Sequence, residues 1–343
     1  MVPALAVADA LRASGAEVEF VGGERAEAEL VPAAGYPFHS LKVAGIDRRN
    51  PLRAARAAGL AMLACGRARR LLRAIGADAV LGGGGYVAAP VGLAGRSLGL
   101  PVVLTEADSH LGVANRLLAP VAARVFLAFP IPGREGGKYV LSGRPVPAGT
   151  LTLDRRASRE RFGIGAEERC LLVFGGSLGA RRLNWATLEA FGSAAPFAVL
   201  HVCGRRDHAE LERRLAELGS PAHYRLHAYV EPFADALAAS DLVAARAGGS
   251  VLELAAAGLP SILVPYPHAS ADHQTANARY LEAAGAAVVV ADAELDAARL
   301  AREVGALLAD RDRLAAMAGA ARALALPDAA ERIARETLAL AGG

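Results

Sequence analysis

Cysteine is too scarce and too scattered to hold this chain together. Cys65, Cys170 and Cys203 are odd in number and show no Cys-x-x-Cys spacing, which argues against a disulfide framework or a cysteine zinc site and sets the expectation of a reducing cytoplasm. A long apolar run is missing as well. Nothing approaches the roughly 20 residues that cross a bilayer, and Met1 leads into an amphipathic stretch rather than a basic leader, so a secreted or transmembrane protein is not expected. Charge of one sign is also in short supply. The formal net charge is +3, with no basic tail and no basic residues interleaved with aromatics, so nucleic acid is not expected as a partner. No Walker lysine loop and no His-Glu-x-x-His pair occurs, which removes the usual support for ATPase and zinc-protease readings.

What is present is apolar residue and glycine. With 53% hydrophobic and 21% charged residues in 343, the chain can bury a large core and is expected to form two domains. Thirty-seven glycines, many Ala and Val, and strand-like runs alternating with helix-like runs predict an α/β fold with wound parallel sheets. The first half opens on a helix from Ala4 to Arg12, followed by the strand Glu17 to Gly22. Further strands are expected at Ala77 to Leu81, Pro101 to Thr105, Ala123 to Phe129 and Lys138 to Ser142. A wound domain ordinarily opens with a buried strand and a glycine turn instead. The second half offers strands at Cys170 to Phe174, Phe197 to Val202, Tyr224 to Tyr229, Leu242 to Ala245, Ser261 to Pro265 and Ala287 to Val290, then three helices. The aperiodic, proline-containing stretch from Arg144 to about Leu153 reads as a linker. The expected division is 1–146, 147–326, and a C-terminal helix, 327–343, packing back toward the first domain.

Four strand-to-helix junctions could carry chemistry. Gly175-Gly176-Ser177-Leu178-Gly179-Ala180 follows a buried strand and would offer backbone N–H groups, a helix start and the Ser177 hydroxyl to a phosphate. Gly82-Gly83-Gly84-Gly85-Tyr86 also follows a strand and reads as a ligand loop ending without a capping residue. It fits the dinucleotide fingerprint poorly, so no nicotinamide cofactor is expected, nor any other. In Arg246-Ala247-Gly248-Gly249-Ser250-Val251-Leu252-Glu253, Glu253 could accept hydrogen bonds from a ribose diol or simply favour the positive end of its helix. Arg246 could neutralise a diphosphate or pair with Glu253. The polar stretch His268 to Asn277 includes Asp272, His273 and Gln274, all able to bind sugar hydroxyls. His268 and His273 have no third ligand near them in sequence, so no metal is expected.

Taken with Pro3-Ala4-Leu5-Ala6-Val7-Ala8 and Ala256-Ala257-Gly258-Leu259-Pro260, these junctions resemble the MurG family from about Pro3 to Glu336. Family members move N-acetylglucosamine from UDP-N-acetylglucosamine onto undecaprenyl-diphosphate-linked muramyl pentapeptide, converting lipid I to lipid II in peptidoglycan synthesis. The resemblance implies a GT-B fold, two Rossmann-like domains facing a cleft, and a metal-independent, inverting hexosyltransferase. It implies donor contacts from Ser177, Arg246, Gly248, Gly249, Ser250, Glu253, His273 and Gln274, with the uracil edge against the backbone near Val230. On the acceptor side it implies Gly84, Gly85, Tyr86, Asn115 and Arg144.

The chain departs from the family around the acceptor. The strand and histidine-bearing glycine loop that precede the match to Pro3 are absent, and the expectation is that Met1 stands inside a longer natural chain. Thr105-Glu106-Ala107-Asp108 stands where the family has His-Glu-Gln-Asn, leaving Glu106, Asp108 and His110 as candidates for the catalytic base. Gly143-Arg144-Pro145-Val146-Pro147 replaces Gly-Asn-Pro-Val-Arg, with Arg144 able to stand in for the lost arginine. A lipid-linked acceptor implies a peripheral protein on the cytoplasmic face of the cell membrane. Arg48, Arg49, Arg53, Arg56, Arg67, Arg69, Arg70 and Arg73, around Leu52, Leu60, Met62, Leu63, Leu71 and Leu72, could dock a basic helix on anionic lipid, or the helix could be an ordinary one packed by its leucines. A related GT-B enzyme with another UDP-sugar or acceptor, and an inactive nucleotide-sugar-binding protein, stay open alternatives.

Overall fold

The computed structural model describes residues 1–43, 51–176 and 179–342, and the backbone alone at 51–61, 148 and 270. It divides into two units, Met1–Pro147 with Leu326–Gly343, and Ala148–Ala325.

The first unit opens with α1 (Val2–Ala13), β1 (Phe20–Gly22), α2 (Glu27–Ala33), β2 (Phe38–Ser40) and α3 (Pro51–Ala74). It continues through β3 (Val80–Gly82), α4 (Gly85–Ser97), β4 (Val102–Glu106), α5 (Val113–Leu118), β5 (Arg124–Leu127) and β6 (Tyr139–Leu141). Every pairing is parallel: β3, β4, β5 and β6 lie side by side in chain order, while β1 pairs with β2 in a sheet of its own. The sequence did not signal β2, because three residues, Phe38-His39-Ser40, are too few to show a period of two.

In the second unit α6 (Ala148–Leu151) and α7 (Arg155–Arg161) lead into β7 (Cys170–Phe174), α8 (Arg181–Phe191), β8 (Ala198–Val202), α9 (His208–Glu217) and β9 (Tyr224–His227). Then come α10 (Phe233–Ala239), β10 (Leu242–Ala245), α11 (Val251–Ala256), β11 (Ser261–Leu263), α12 (His273–Ala283), β12 (Ala287–Val289), α13 (Ala297–Ala309) and α14 (Arg311–Leu324). Its six parallel strands run in the order β12-β11-β10-β7-β8-β9. Helices cover both faces, so the inner strands are continuous apolar runs; all five residues of β7, Cys170-Leu171-Leu172-Val173-Phe174, are buried. From β7 the chain winds outward to β9, then returns to β10 on the other side. The ends of β7 and β10 therefore flank a topological switch point, where a crevice opens beyond the carboxyl ends of the strands.

The last helix, α15 (Ala329–Ala341), belongs to the first unit. Its Ala330, Ile333 and Ala334 bury against Val7 and Leu11 of α1 and against Val103 and Phe126. Glu336 receives Arg124 Nε at 3.1 Å, which fastens the helix beside the sheet.

Candidate functional site

At the carboxyl end of β7, glycine is required by space. A Cβ on Gly175 would come within 2.4 Å of the Ala180 backbone nitrogen, and one on Gly179, at φ +77°, within 2.2 Å of the Cys203 carbonyl oxygen. The chain thus turns tightly into α8, whose N-terminus carries no side-chain cap among the described residues. The same is true of α4, α11 and α12, which also start where strands end. Helices α1, α2, α5, α9, α10 and α15 likewise show no side-chain cap, whereas α7, α13 and α14 are capped by Asp154, Asp296 and Asp310. The uncapped starts leave backbone N–H groups for an anion, most plainly at the eleven-residue α8. Ser177 lies outside the described residues.

The loop after β10 is next to this turn. Ser250 is the N-cap position of α11 and Glu253 sits in its first turn, so its carboxylate is half-buried at the mouth of the crevice. Gly248 and Gly249 form the turn itself. Two residues of α12 hold that turn from the other side. Asn277, fully buried, donates through Nδ2 to the Ala247 carbonyl at 3.2 Å. Gln274 accepts the Tyr266 N–H on Oε1 at 2.9 Å, which leaves its Nε2 facing Gly248, where a Cβ would be 4.0 Å away. His273, the first residue of α12, is half-buried beside it. Ala271 and Asp272 are both at φ +51°, a region costly for alanine. The strained turn into α12 is fixed by Thr275, whose hydroxyl donates to Asp272 Oδ1 at 2.7 Å.

Arg246 makes contacts that neither sequence expectation named. Its guanidinium forms an ion pair at 2.6 Å with Asp292, from the segment after β12. It also donates to the carbonyls of Val264 and Pro265 and stacks on Tyr266. Arg246 thus ties the ends of β10, β11 and β12 together. Val230, the expected uracil neighbour, is buried just past β9. The following Phe233 meets Phe174 edge to face at 4.9 Å, bringing this segment to the last residue of β7.

A buried polar chain supports the β7 turn. Asn184 donates from Nδ2 to the Cys203 carbonyl and to Asp207 Oδ2, both at 2.9 Å. Its Oδ1 must then accept from His201 Nε2 at 3.1 Å, so His201 Nδ1 accepts the Tyr224 hydroxyl at 2.7 Å. Burial drives His201 down to about 3, which keeps it neutral as this network demands. Burial also pushes the Tyr224 hydroxyl well above its ordinary value, holding its proton in place to donate.

In the first unit, the carboxyl ends of β3, β4 and β6 gather a second set of residues. The glycine run is not a four-residue loop: α4 begins at Gly85, with Gly84 at its N-cap and Tyr86 already helical. Arg25 stacks over the Tyr86 ring. Glu106 is 8% exposed and accepts three hydrogen bonds. Its Oε2 accepts the Gly112 N–H at 2.7 Å and Asn115 Nδ2 at 2.9 Å, and its Oε1 accepts the Asp108 N–H at 3.2 Å. Asn115, also buried, donates to the Thr105 carbonyl too. With three donors on its carboxylate, Glu106 clamps loop 107–112. Asp108 and His110 are half-buried on that loop, and Arg144 lines a recess with Thr105, Glu106 and Ala107.

The glycosyltransferase family 28 models match almost end to end, the N-terminal domain at residues 1–127 and the C-terminal domain at 170–333. A Methylococcus capsulatus protein, UDP-N-acetylglucosamine--N-acetylmuramyl-(pentapeptide) pyrophosphoryl-undecaprenol N-acetylglucosamine transferase, is 44% identical over 99% of this chain and 95% of its own. A protein of the same description from Moorella thermoacetica is 41% identical over 96% and 93%. The crystal structure of Acinetobacter baumannii MurG aligns at a TM-score of 0.78 and 31% identity, covering 98% of this chain and 95% of that one. The chain belongs to the MurG family. Its two Rossmann-like units are those of the GT-B class. A Listeria monocytogenes structure titled as a putative UDP-N-acetylglucosamine 2-epimerase, at 17% identity and a TM-score of 0.71, shares that fold.

Gly175-Gly176-Ser177-Leu178-Gly179 also has the Gly-x-Ser-x-Gly spacing of a hydrolase elbow, whereas the family to which the chain belongs is one of glycosyltransferases. Sequence reasoning missed Asp292, Asn184 and Asp207, and gave Asn277, at the end of the polar stretch, no role of its own. None lies in a glycine-rich junction, and only the sheet order brings them beside residues far away in the chain.

Proposed function

We propose that this chain transfers N-acetylglucosamine from UDP-N-acetylglucosamine to undecaprenyl-diphosphate-linked N-acetylmuramyl pentapeptide, making lipid II from lipid I with inversion at the sugar carbon. The observation that carries the reading is the cluster of uncapped helix starts and polar side chains at the ends of β7, β10 and β11, in a chain 44% identical over its length to a transferase of that description. The donor diphosphate would lie against the start of α8 and the Gly248-Gly249-Ser250 backbone, with Ser177 beside it. Glu253 would accept the ribose hydroxyls, Val230 would present backbone to uracil, and His273 and Gln274 would bind the sugar. As the C–O bond to UDP breaks, negative charge grows on the diphosphate, where the helix N-terminus stabilises it.

The acceptor hydroxyl attacks the sugar carbon and loses its proton to a base. Asp108 or His110 serves as that base, on the loop that Glu106 and Asn115 hold. Gly84, Gly85, Tyr86 and Arg144 line the acceptor side of the same unit.

The surface chemistry supports a peripheral position on anionic lipid, at the cytoplasmic face where UDP-sugars are found. Among the described residues no helix is long and apolar enough to cross a membrane. Helix α3 packs on α4, and α4 on α5. This layer exposes Met62, Leu63, Leu93, Val113 and Leu117 beside Arg67, Arg69, Arg70, Arg73, Arg96 and Arg116. None of the three helices contains an acidic residue. The expected docking helix is thereby narrowed: Leu72 is core, packed with Ala64 and Ala68, and Arg48 and Arg49 lie outside the described residues, as do the side chains of Leu52, Arg53, Arg56 and Leu60.

The deciding experiment is a transfer assay with UDP-N-acetylglucosamine and lipid I, with Glu253→Ala as control. Turnover of lipid I dependent on Glu253 is expected; turnover only of a different sugar or acceptor would overturn the assignment.

A further inference from the structure

We propose that the second unit carries another ligand site, at the opposite edge of its sheet, for a phosphate-bearing organic anion of about mononucleotide size. Arg169, Asp241 and Pro260 immediately precede β7, β10 and β11, and all three line a concave pocket of about 490 Å³. The pocket therefore sits at the amino ends of the strands whose carboxyl ends form the donor crevice. Its volume is within the roughly 300–1,000 Å³ usual for small-molecule sites.

Charge at this pocket is heavily unbalanced. The Asp241 carboxylate is shared by Arg155 at 2.8 Å, Arg169 at 3.2 Å and the buried Arg159 at 3.5 Å, and it accepts the Cys170 N–H besides. Arg311 and Arg322 of α14 add two more guanidinium groups to the lining. Among the described residues no ion pair joins either to a carboxylate. Nearby Asp154 and Asp310 are committed to capping α7 and α14, and Asp312 is exposed on the first turn of α14. The lining thus holds four guanidinium groups, Arg155, Arg169, Arg311 and Arg322, against the single carboxylate of Asp241, an excess of positive charge that a bound anion neutralises. Arginine forks suit phosphate oxygens in bidentate fashion.

Between the arginines the wall is apolar, with Leu153, Leu237, Leu259 and Leu314. A ligand with a phosphate and an apolar or planar portion matches both surfaces, and inorganic phosphate matches only one. Ala257, Gly258, Leu259 and Pro260, which follow α11, build part of this wall. Gly258, at φ +65°, leaves the space that Arg322 fills: a Cβ there would meet its Nη1 at 2.7 Å and its Cγ at 2.8 Å.

The test is calorimetric titration of the full chain, its donor crevice saturated with UDP, with adenosine 5′-monophosphate, octyl phosphate and inorganic phosphate. Saturable binding of one organic probe per chain is expected, tighter than that of inorganic phosphate. A preference for the nucleotide over octyl phosphate identifies a soluble ligand; the reverse identifies a lipid phosphate. Arg311→Gln with Arg322→Gln, which keeps the packing of the stems, should weaken binding at least about tenfold, and Glu253→Ala should leave it unchanged. Binding that survives the double substitution in a variant of unaltered circular dichroism overturns the proposal. So does equal affinity for inorganic phosphate, or no saturable binding of either organic probe at millimolar concentration.

Discussion

Arg246 and Asp292 meet at 2.6 Å across the ends of β10 and β12, both side chains mostly buried. The arginine that sequence reasoning assigned to a diphosphate is first a tie between neighbouring strand ends. Its position depends on a residue 46 places further on. Asp292→Asn should raise the Kd for UDP about tenfold, and Arg246→Leu with Asp292→Leu should cost much less than the sum of the single changes. Isothermal titration of the two singles and the double checks this. Strict additivity would mean the pair does not act as a unit.

Glu253→Ala should weaken UDP binding by about 1.5–3 kcal/mol, the worth of hydrogen bonds to a charged group, seen as a 10- to 100-fold rise in KM for the donor with a smaller change in kcat. The bland alternative is that Glu253 only favours the start of α11, in which case the loss appears in thermal stability, by a few tenths of a kcal/mol. Measuring Kd for UDP and Tm on the same variant separates the two.

Much of the fold was written in local pattern. Cys170 to Phe174 and Leu242 to Ala245 form the strands expected of them to the residue, because buried parallel strands are unbroken apolar runs. Glycine junctions were equally legible, since Gly175 and Gly179 have no room for a Cβ. What the sequence hid was the partner of each site residue. Glu106 looked like a base because a carboxylate at a strand end can be one; that three N–H donors converge on it depends on how residues 107 to 115 curl back. Likewise the union of Arg246 with Asp292 follows from the order β12-β11-β10, which no short-range signal encodes.

Glu106 already accepts three hydrogen bonds, so the proposed base is one of the two half-buried side chains on the loop it clamps, Asp108 or His110. One of Asp108→Asn and His110→Gln should lower kcat by about 10²–10⁴-fold while leaving Tm and donor KM nearly unchanged. Glu106→Gln, in contrast, should lower Tm and raise acceptor KM together as loop 107–112 loosens. Steady-state kinetics with circular dichroism melts on the three variants would refute the clamp if Glu106→Gln lost only kcat.

The His201 network makes stability depend on pH with a definite sign. In the native chain His201 titrates near 3, against 6.5 for the exposed side chain. Between those values the unfolded chain binds a proton that the native chain does not. Stability therefore rises with pH through this window and falls on acidification below about 6.5, by at most about 1.4 kcal/mol per pH unit from this group. His201→Gln should have a shallower decline of Tm between pH 6.5 and 4 than the parent chain, whatever its absolute stability. Parallel slopes would remove His201 from the account.

The exposed layer of α3, α4 and α5 gives the last prediction its form, because apolar and basic contributions to lipid binding respond differently to salt. Arginines near an anionic surface are worth about 1 kcal/mol each and are screened within a Debye length, whereas burial of Met62 and Leu63 is not. Sedimentation with vesicles containing phosphatidylglycerol should thus show binding that weakens with salt but does not vanish. Replacing Arg67, Arg70 and Arg73 by glutamate should abolish the salt-sensitive part. Met62→Ser with Leu63→Ser should remove the residual part while sparing turnover of a soluble, short-chain acceptor analogue, since both side chains stand clear of the buried Ala64, Ala68 and Leu72 that fasten α3 to its unit. Binding to neutral phosphatidylcholine vesicles as strong as to anionic ones, or full binding by the glutamate variant, would leave the arginines as solvated surface and nothing more.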